Sequence, residues 1–271
     1  FPAIEQRLQT SDVLTQQLCF DGTYYALQQR SSLLELRQKR EAIMATLSPR
    51  MIFYGRILAY FPFVEFVGIT GALAMHNPST ANDDLDYLVV TRPGRVWLTR
   101  ASIILLVRLM RLRHVEICPN YVLASDQLTQ SRQDLYIAHE IAQILPLCNP
   151  ELYEQFRNKN PWTHTYLPNA TYPLHRLKTR PLHQPGLMIK RGLEMVLSSP
   201  LGNWIEKWEF KRKAKRFEQQ AQAPNAAAQI DESHVKGHFN DYGQHVLAQY
   251  QARLAKLNIE TYSQPLKCVG D

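Results

Sequence analysis

Cysteine is scarce in this sequence. Its four cysteines, Cys19, Cys118, Cys148 and Cys268, lie far apart, and no two of them form a CxxC pair. This spacing gives neither a zinc site nor a disulfide framework, and it favours a reducing cytoplasm. The chain also lacks GxxxxGKS/T, GxGxxG and GxSxG motifs. P-loop, dinucleotide-binding and serine-hydrolase sites are therefore not indicated.

Long hydrophobic runs are also missing. The longest apolar stretch, Val96 to Met110, is interrupted by Arg100 and Arg108 and is too short and too charged to span a bilayer. No signal peptide pattern opens the sequence at Phe1. We therefore expect a soluble, cytoplasmic protein without stable membrane insertion.

The composition is that of a globular protein with its positive charge concentrated in one stretch. A length of 271 residues favours one or two domains, and 45% hydrophobic with 20% charged residues provides a core of normal size. Between Arg176 and Arg216, eleven Lys and Arg stand against three acids, whereas the rest of the chain has twenty bases and twenty-one acids. A concentrated positive surface suits nucleic acid, nucleotides or an anionic membrane.

The N-terminal residues 1–45 are predicted to form a small winged-helix-like module. Ile4 to Leu8 and Val13 to Leu18 have the pattern of short helices, and Cys19 to Leu27 reads as strand, Asp-Gly turn and strand. Helix, helix and hairpin is the order of a winged helix, a fold that often holds DNA. The second helix carries no Lys or Arg, which favours a packing module without a DNA role.

The rest of the chain predicts an α+β fold in which a short mixed sheet is flanked by helices. Residues 46–125 form the predicted core, and residues 126–271 form a mainly helical C-terminal region that contains the basic segment. Gln220 to Gln229, rich in Ala and Gln, is predicted to be a linker. The predicted strands are 63–70, 85–90 and 115–123, and the predicted helices are 31–60, 96–112, 127–147, 186–197, 204–220 and 243–257.

Two carboxylates at the start of the second of these strands indicate a chemical function. Side chains alternate along a strand, so Asp84 and Asp86 project from the same face, about 6–7 Å apart along the strand. Two close carboxylates repel each other unless they share a divalent cation, and magnesium prefers such oxygen ligands. Gly71, just after the preceding strand, lets backbone N–H groups approach an anion without a Cβ in the way. Asp83 faces the other way, and we assign it a capping role.

This arrangement resembles the signature of nucleotidyltransferases of the DNA polymerase beta superfamily. That signature is an apolar strand, a Gly-Ser pair, about nine to thirteen residues, and then Asp-x-Asp in a second apolar strand. Here residues 73–83 separate Gly71-Ala72 from Asp84. The order strand, loop, strand, helix, strand is also similar over about 80 residues.

The whole chain more loosely resembles an uncharacterised prokaryotic group within this superfamily. The group has a winged-helix-like start, a TGSLAM- or TGALAM-type loop, and a helix like Gly-Arg-Leu-Trp-Leu-Thr-Arg. The counterparts here are Thr70 to Met75 and Gly94 to Arg100, and Cys118-Pro119-Asn120 also fits.

The resemblance implies a reaction and a set of site residues. A nucleoside monophosphate would be transferred from a nucleoside triphosphate such as ATP to an acceptor hydroxyl by a two-metal mechanism. Thr70, Gly71 and Ala72 would contact the nucleotide phosphates. The implied ligands of two Mg²⁺ ions are Asp84, Asp86 and, on the third strand, Glu116. The alternative for Glu116 is a surface carboxylate that pairs with Arg113 or His114.

One departure from the superfamily pattern gives a rival function. Ala72 stands where the superfamily usually has Ser, which removes a hydrogen bond of about 1–3 kcal/mol to a charged acceptor. Thr70 or backbone amides are the possible replacements. The rival function is therefore a catalytically weakened protein of this fold that acts as a nucleotide- or RNA-binding module.

The basic segment 204–217 has three interpretations. Trp204 and Trp208 share a helical face at i, i+4, and Lys211 and Arg212 continue it. Aromatic rings among cations can stack on the bases of RNA or another nucleic acid. The other interpretations are a core-facing Trp stripe with a solvated basic back, and a helix that lies on anionic lipid.

Overall fold

The computed structural model describes residues 2–170, 177, 181–221, 230–236 and 242–259. The strands are β1 Leu18–Phe20, β2 Tyr25–Leu27, β3 Val64–Ile69, β4 Leu85–Thr91, β5 Ile117–Ala124, β6 Leu145–Cys148 and β7 His234–Lys236. The helices are α1 Pro2–Thr10, α2 Asp12–Gln17, α3 Ser32–Ala59, α4 Gly71–Ala74, α5 Val96–Arg111, α6 Leu135–Ala142, α7 Pro150–Asn158, α8 Thr163–Tyr166, α9 Gln184–Leu197, α10 Pro200–Ala221 and α11 Tyr242–Lys256. None of the helices in these ranges is long and apolar enough to cross a membrane.

Five strands form a mixed sheet in the order β6-β3-β4-β5-β7. β4 and β5 are parallel, and α5 forms the crossover between them. The pairs β3–β4, β3–β6 and β5–β7 are antiparallel. The predicted α+β class with a mixed sheet and flanking helices is confirmed.

Apolar residues cover both faces of this sheet, because successive side chains of a strand point to opposite sides. The odd-numbered residues of β4, such as Tyr87 and Val89, pack with residues of α3 and α5. The even-numbered residues Leu88 and Val90 pack with residues of α6 and α7. Since Asp86 shares the parity of Leu88, its side chain points to the face that α6 covers.

The predicted strands of the core and the helix between them are confirmed in β3, β4, α5 and β5. The predicted helix 127–147 is wrong at both ends: α6 spans only Leu135–Ala142, and β6 follows at Leu145–Cys148. β6 contains Pro146 and lies at the edge of the sheet, where a missing backbone donor is tolerated. The short strand β7 had no sequence signal.

The N-terminal elements also form as predicted, with α1 and α2 followed by the antiparallel hairpin of β1 and β2. In its turn, Asp21 accepts hydrogen bonds from the backbone N–H groups of Thr23 and Tyr24. The winged-helix module itself stays a prediction. α3 runs through the predicted boundary at residue 45, and β6 and β7 join the sheet from beyond residue 125. Residues 222–229 of the predicted linker lie outside the described residues.

Two helical glycines provide a matched test of this packing. A Cβ on Gly55 in α3 would lie 2.1 Å from Leu147 Cδ1 and 2.9 Å from Tyr87 Cε1, whereas a Cβ on Gly192 in α9 would meet nothing within 4 Å. Overpacking costs about 1–3 kcal/mol, and Ala gains about 1 kcal/mol over Gly in a helix. We expect Gly55→Ala to lower the free energy of unfolding and Gly192→Ala to raise it in denaturant titrations. A stabilised Gly55→Ala protein would contradict the close approach of α3 to β6.

Candidate functional site

Asp84 and Asp86 lie together at the start of β4. Asp84 is exposed and directly precedes the strand, and Asp86 is its second residue. On the parallel neighbour β5, Cys118 is the register partner of Asp86. One ligand atom from each of Asp84, Asp86 and Cys118 lies within 4.8 Å of the other two. The sequence-predicted pair is therefore brought together, with a thiol beside it.

The turn at Gly71 is built around the Asp86 carboxylate. The Thr70 N–H donates a hydrogen bond to the Asp86 backbone oxygen at 3.1 Å. Gly71 has φ +65°, and a Cβ on it would lie 2.6 Å from Asp86 Oδ2. Both the left-handed backbone and the missing Cβ therefore require glycine here. Ala72 follows in the single-turn helix α4 and is exposed.

The Asp86 carboxylate is in an unfavourable environment for a negative charge. Burial, followed by the negative charge of Asp84, raises the pKa of Asp86 to about 7, and a hydrogen bond with Cys118 partly opposes this shift. Burial and then the charge of Asp86 also raise the pKa of the Cys118 thiol. The thiol is therefore protonated and can donate to Asp86. A cation between the two carboxylates would remove their mutual repulsion.

Three buried polar atoms around this point have no hydrogen-bond partner among the described residues: Asp86 Oδ1, Thr70 Oγ1 and Asn120 Oδ1. Thr70 is only 8% exposed. A buried polar group without a partner costs about 1–3 kcal/mol. Convergence of such atoms from β4, the end of β3 and β5 indicates that water, a cation or a ligand occupies this place.

A fourth element, α6, adds a charged group to the same face of the sheet. Glu140 of α6 and Lys236 of β7 line a cavity of about 40 Å³ together with Thr70 and Asn120. Burial raises the pKa of Glu140, and the charge of Lys236 opposes this shift. The negative charge of Glu140 in turn contributes to the raised pKa of Asp86. At roughly 10–15 Å³ per water, the cavity has room for a few waters but not for a nucleoside. A larger substrate must approach from the open side, where Asp84 is exposed.

The two remaining acids with a predicted role are Glu116 and Asp83. Glu116 is exposed, lies one residue before β5, and is not in the group formed by Asp84, Asp86 and Cys118. Its backbone oxygen accepts a hydrogen bond from the Leu85 N–H at 2.8 Å. The predicted capping role of Asp83 is confirmed, because its Oδ1 accepts hydrogen bonds from the backbone N–H and the hydroxyl of Thr80.

Four residues of the site were not predicted from the sequence: Cys118, Asn120, Glu140 and Lys236. Cys118 is the register partner of Asp86, and Asn120, two residues further along β5, lines the cavity on the α6 face. Glu140 had a weak signal, since it is an acid within the apolar pattern of α6. Lys236 had none, because β7 was not predicted.

In the basic segment, the core-facing interpretation of the Trp stripe is wrong. Trp204 is 60% exposed and Trp208 is 48% exposed. Their rings are stacked with centroids 6.0 Å apart, and the Arg212 guanidinium lies over the Trp208 ring at 5.1 Å.

Comparison with protein-family models, with curated proteins and with solved structures finds no match for this chain. The proposed function therefore rests on the geometry of the site.

A pair of left-handed glycines tests the contact between the turn and Asp86. Gly71 has φ +65° and Gly94 has φ +68°, but a Cβ on Gly94 would meet nothing within 4 Å. Ala substitution at either position carries the same backbone penalty of roughly 1–2 kcal/mol. Only Gly71→Ala should also displace the Asp86 carboxylate and weaken Mn²⁺ binding in a calorimetric titration, by tenfold or more. Equal Mn²⁺ affinities for the two variants would show that the turn does not shape the cation site.

Proposed function

We propose that this protein is a metal-dependent nucleotidyltransferase. It transfers a nucleoside monophosphate from a nucleoside triphosphate to an acceptor hydroxyl, so that a new phosphodiester-type P–O bond forms, pyrophosphate leaves and the hydroxyl proton is released. The observation that carries the proposal is the unit formed by Gly71 and Asp86. A left-handed glycine turn closes directly on Asp86, one of two neighbouring carboxylates at the start of β4.

The residues present fit a magnesium ion. Asp84 and Asp86 supply hard carboxylate oxygens, and Asp86 Oδ1 is buried without a hydrogen-bond partner in the described part of the chain. Cys118, as a protonated thiol, is not a magnesium ligand, and we assign it the positioning of Asp86 through its hydrogen bond. When bound, a pair of magnesium ions supplies a lowered pKa for the attacking hydroxyl and neutralises charge on the phosphates.

The chain's own residues bind and orient the triphosphate in this proposal. Thr70, Gly71 and Ala72 form the contact surface for its phosphates. Ala72 has no hydroxyl to donate, but the Thr70 hydroxyl two residues earlier is buried, and no residue that the structure describes bonds to it. Thr70 therefore provides a donor that replaces the serine of the superfamily pattern. The small residues at 71 and 72 keep the open side of the carboxylates accessible.

Glu140 is the third carboxylate that we assign to the site. It approaches from α6, on the face toward which Asp86 points. It lies outside the group of Asp84, Asp86 and Cys118, and it acts on Asp86 through its charge. Glu116 is the third carboxylate implied by the sequence resemblance, and it lies on the exposed approach beside Asp84. Glu140 and Glu116 are therefore alternative third carboxylates, and substituting each in turn shows which of them the reaction needs.

A nucleotide- or RNA-binding module is the second candidate function. Two observations favour it: Ala72 replaces a phosphate-binding serine, and the register partner of Asp86 is Cys118 rather than a carboxylate. Against it stand the two close negative charges of Asp84 and Asp86, which would repel an anionic ligand unless a cation lies between them.

The Asp86→Asn variant distinguishes an enzyme from a binding module. The wild-type protein is incubated with each radiolabelled nucleoside triphosphate and Mg²⁺, alone and with total RNA or cell lysate, and labelled products are separated. We expect Asp86→Asn to lower product formation by orders of magnitude, because the cation site loses an anionic ligand. Nucleotide binding without metal should be kept or improved, since a repulsive charge is gone.

The companion variants are Glu140→Gln and Glu116→Gln, each of which removes one charge at nearly constant volume. The proposal predicts a larger loss of activity for Glu140→Gln. Thermal melts check that every variant folds. An Asp86→Asn protein that folds normally and keeps full activity would overturn the proposed function, and a larger loss for Glu116→Gln would replace Glu140 by Glu116 as the third carboxylate.

A further inference from the structure

Helices α9 and α10 contact each other, and both expose apolar and basic side chains. We call this the α9–α10 surface. Its exposed apolar members are Met188, Ile189, Leu193, Met195, Val196, Leu201, Trp204 and Trp208, and its exposed basic members are Arg191, Lys207, Lys211 and Lys215. On α10, the residues 204, 208, 211 and 215 follow the i, i+4, i+7, i+11 spacing of one helical face. A cluster of so many exposed apolar side chains marks an interaction site.

The three acids of the two helices whose side chains the structure describes, Glu194, Glu206 and Glu209, are turned inward. Glu194 accepts a hydrogen bond from the Phe63 N–H at 2.8 Å and pairs with Arg92. Glu206, 8% exposed, accepts hydrogen bonds from the N–H groups of Trp97 and Leu98 at the start of α5.

The third acid, Glu209, is 4% exposed and pairs with Arg212. None of the four basic members of the α9–α10 surface forms an ion pair with a described residue. Among the side chains of these two helices that the structure describes, every exposed charge is therefore positive.

We infer that the α9–α10 surface docks on an anionic lipid bilayer. Clustered cations attract an anionic leaflet, and exposed aliphatic and Trp side chains gain by entering the boundary between headgroups and acyl chains. This inference concerns a different surface from the carboxylate site and does not depend on the proposed function.

Two other occupants fit the surface less well. A nucleic acid uses cations and free aromatic faces, but the Trp208 ring already has Trp204 stacked on it and Arg212 over it, and the aliphatic members would remain in water. A second copy of the chain would bring like charges together across the interface, which opposes association. The lipid surface satisfies both the apolar and the basic members.

The test uses the full chain and sedimentation with vesicles of phosphatidylcholine alone or mixed with phosphatidylglycerol. We expect binding to the anionic vesicles, weaker binding to the neutral ones, and a loss of binding as salt rises. The triple variant Lys207→Gln, Lys211→Gln, Lys215→Gln should bind anionic vesicles about 100-fold more weakly, at roughly fivefold for each charge. The matched control Lys39→Gln, Arg50→Gln, Lys159→Gln removes three exposed charges elsewhere and should bind like the wild type.

A second variant tests the apolar members independently of charge. Trp204→Ala with Trp208→Ala changes exposed residues, so it should fold with unchanged thermal stability. It should weaken vesicle binding and abolish the blue shift of tryptophan emission that lipid causes in the wild type. Absence of binding to anionic vesicles, equal losses in the triple variant and its matched control, or tight binding of homopolymeric RNA in place of vesicles would each overturn the inference. So would a wild-type dimer that the Trp variant dissociates.

Discussion

The carboxylate of Asp86 is buried between the left-handed turn at Gly71 and the thiol of Cys118, with the negative charge of Asp84 beside it. Such a charge is stable only if another group compensates it, because its protonated form otherwise takes over as the pH falls toward 7. The described residues supply one thiol hydrogen bond and leave Asp86 Oδ1 without a partner. A divalent cation shared with Asp84 is the compensation that we propose. The roles of the turn, the cavity and the charges around Asp86 all depend on this constraint.

The alternation of side chains along β4 determines which face of the sheet carries the site. Odd-numbered residues of β4 pack with residues of α3 and α5, so the even-numbered Asp86 has to point toward α6. There the apolar layer around Leu88 and Val90 ends, and polar groups of Thr70, Asn120 and Glu140 replace it. Burial of the two apolar layers fixes β4 against its neighbours, and the cost of holding two carboxylates together at its start is met by that packing.

The sequence predicted what depends on local patterns and missed what depends on distant contacts. The i, i+2 spacing was sufficient to predict that Asp84 and Asp86 lie close together. The position of Gly71 after a strand predicted a place where an anion can approach the backbone. Cys118 and Asn120 reach the site because β5 pairs in parallel with β4, and no local pattern encodes that pairing. Glu140 reaches it because α6 packs on that face, and the exposure of Trp204 depends on which side of α10 meets α5. β6 was mistaken for helix because its four residues continue an apolar helical pattern.

The most direct test of this account is a crystal structure of the wild-type protein grown with Mn²⁺ and a non-hydrolysable nucleoside triphosphate, with the metal located by its anomalous scattering. The account predicts a manganese peak bound by carboxylate oxygens of both Asp84 and Asp86, with the triphosphate on the side of Gly71. A nucleotide bound elsewhere, or a structure in which no metal contacts either carboxylate at saturating Mn²⁺, would contradict it.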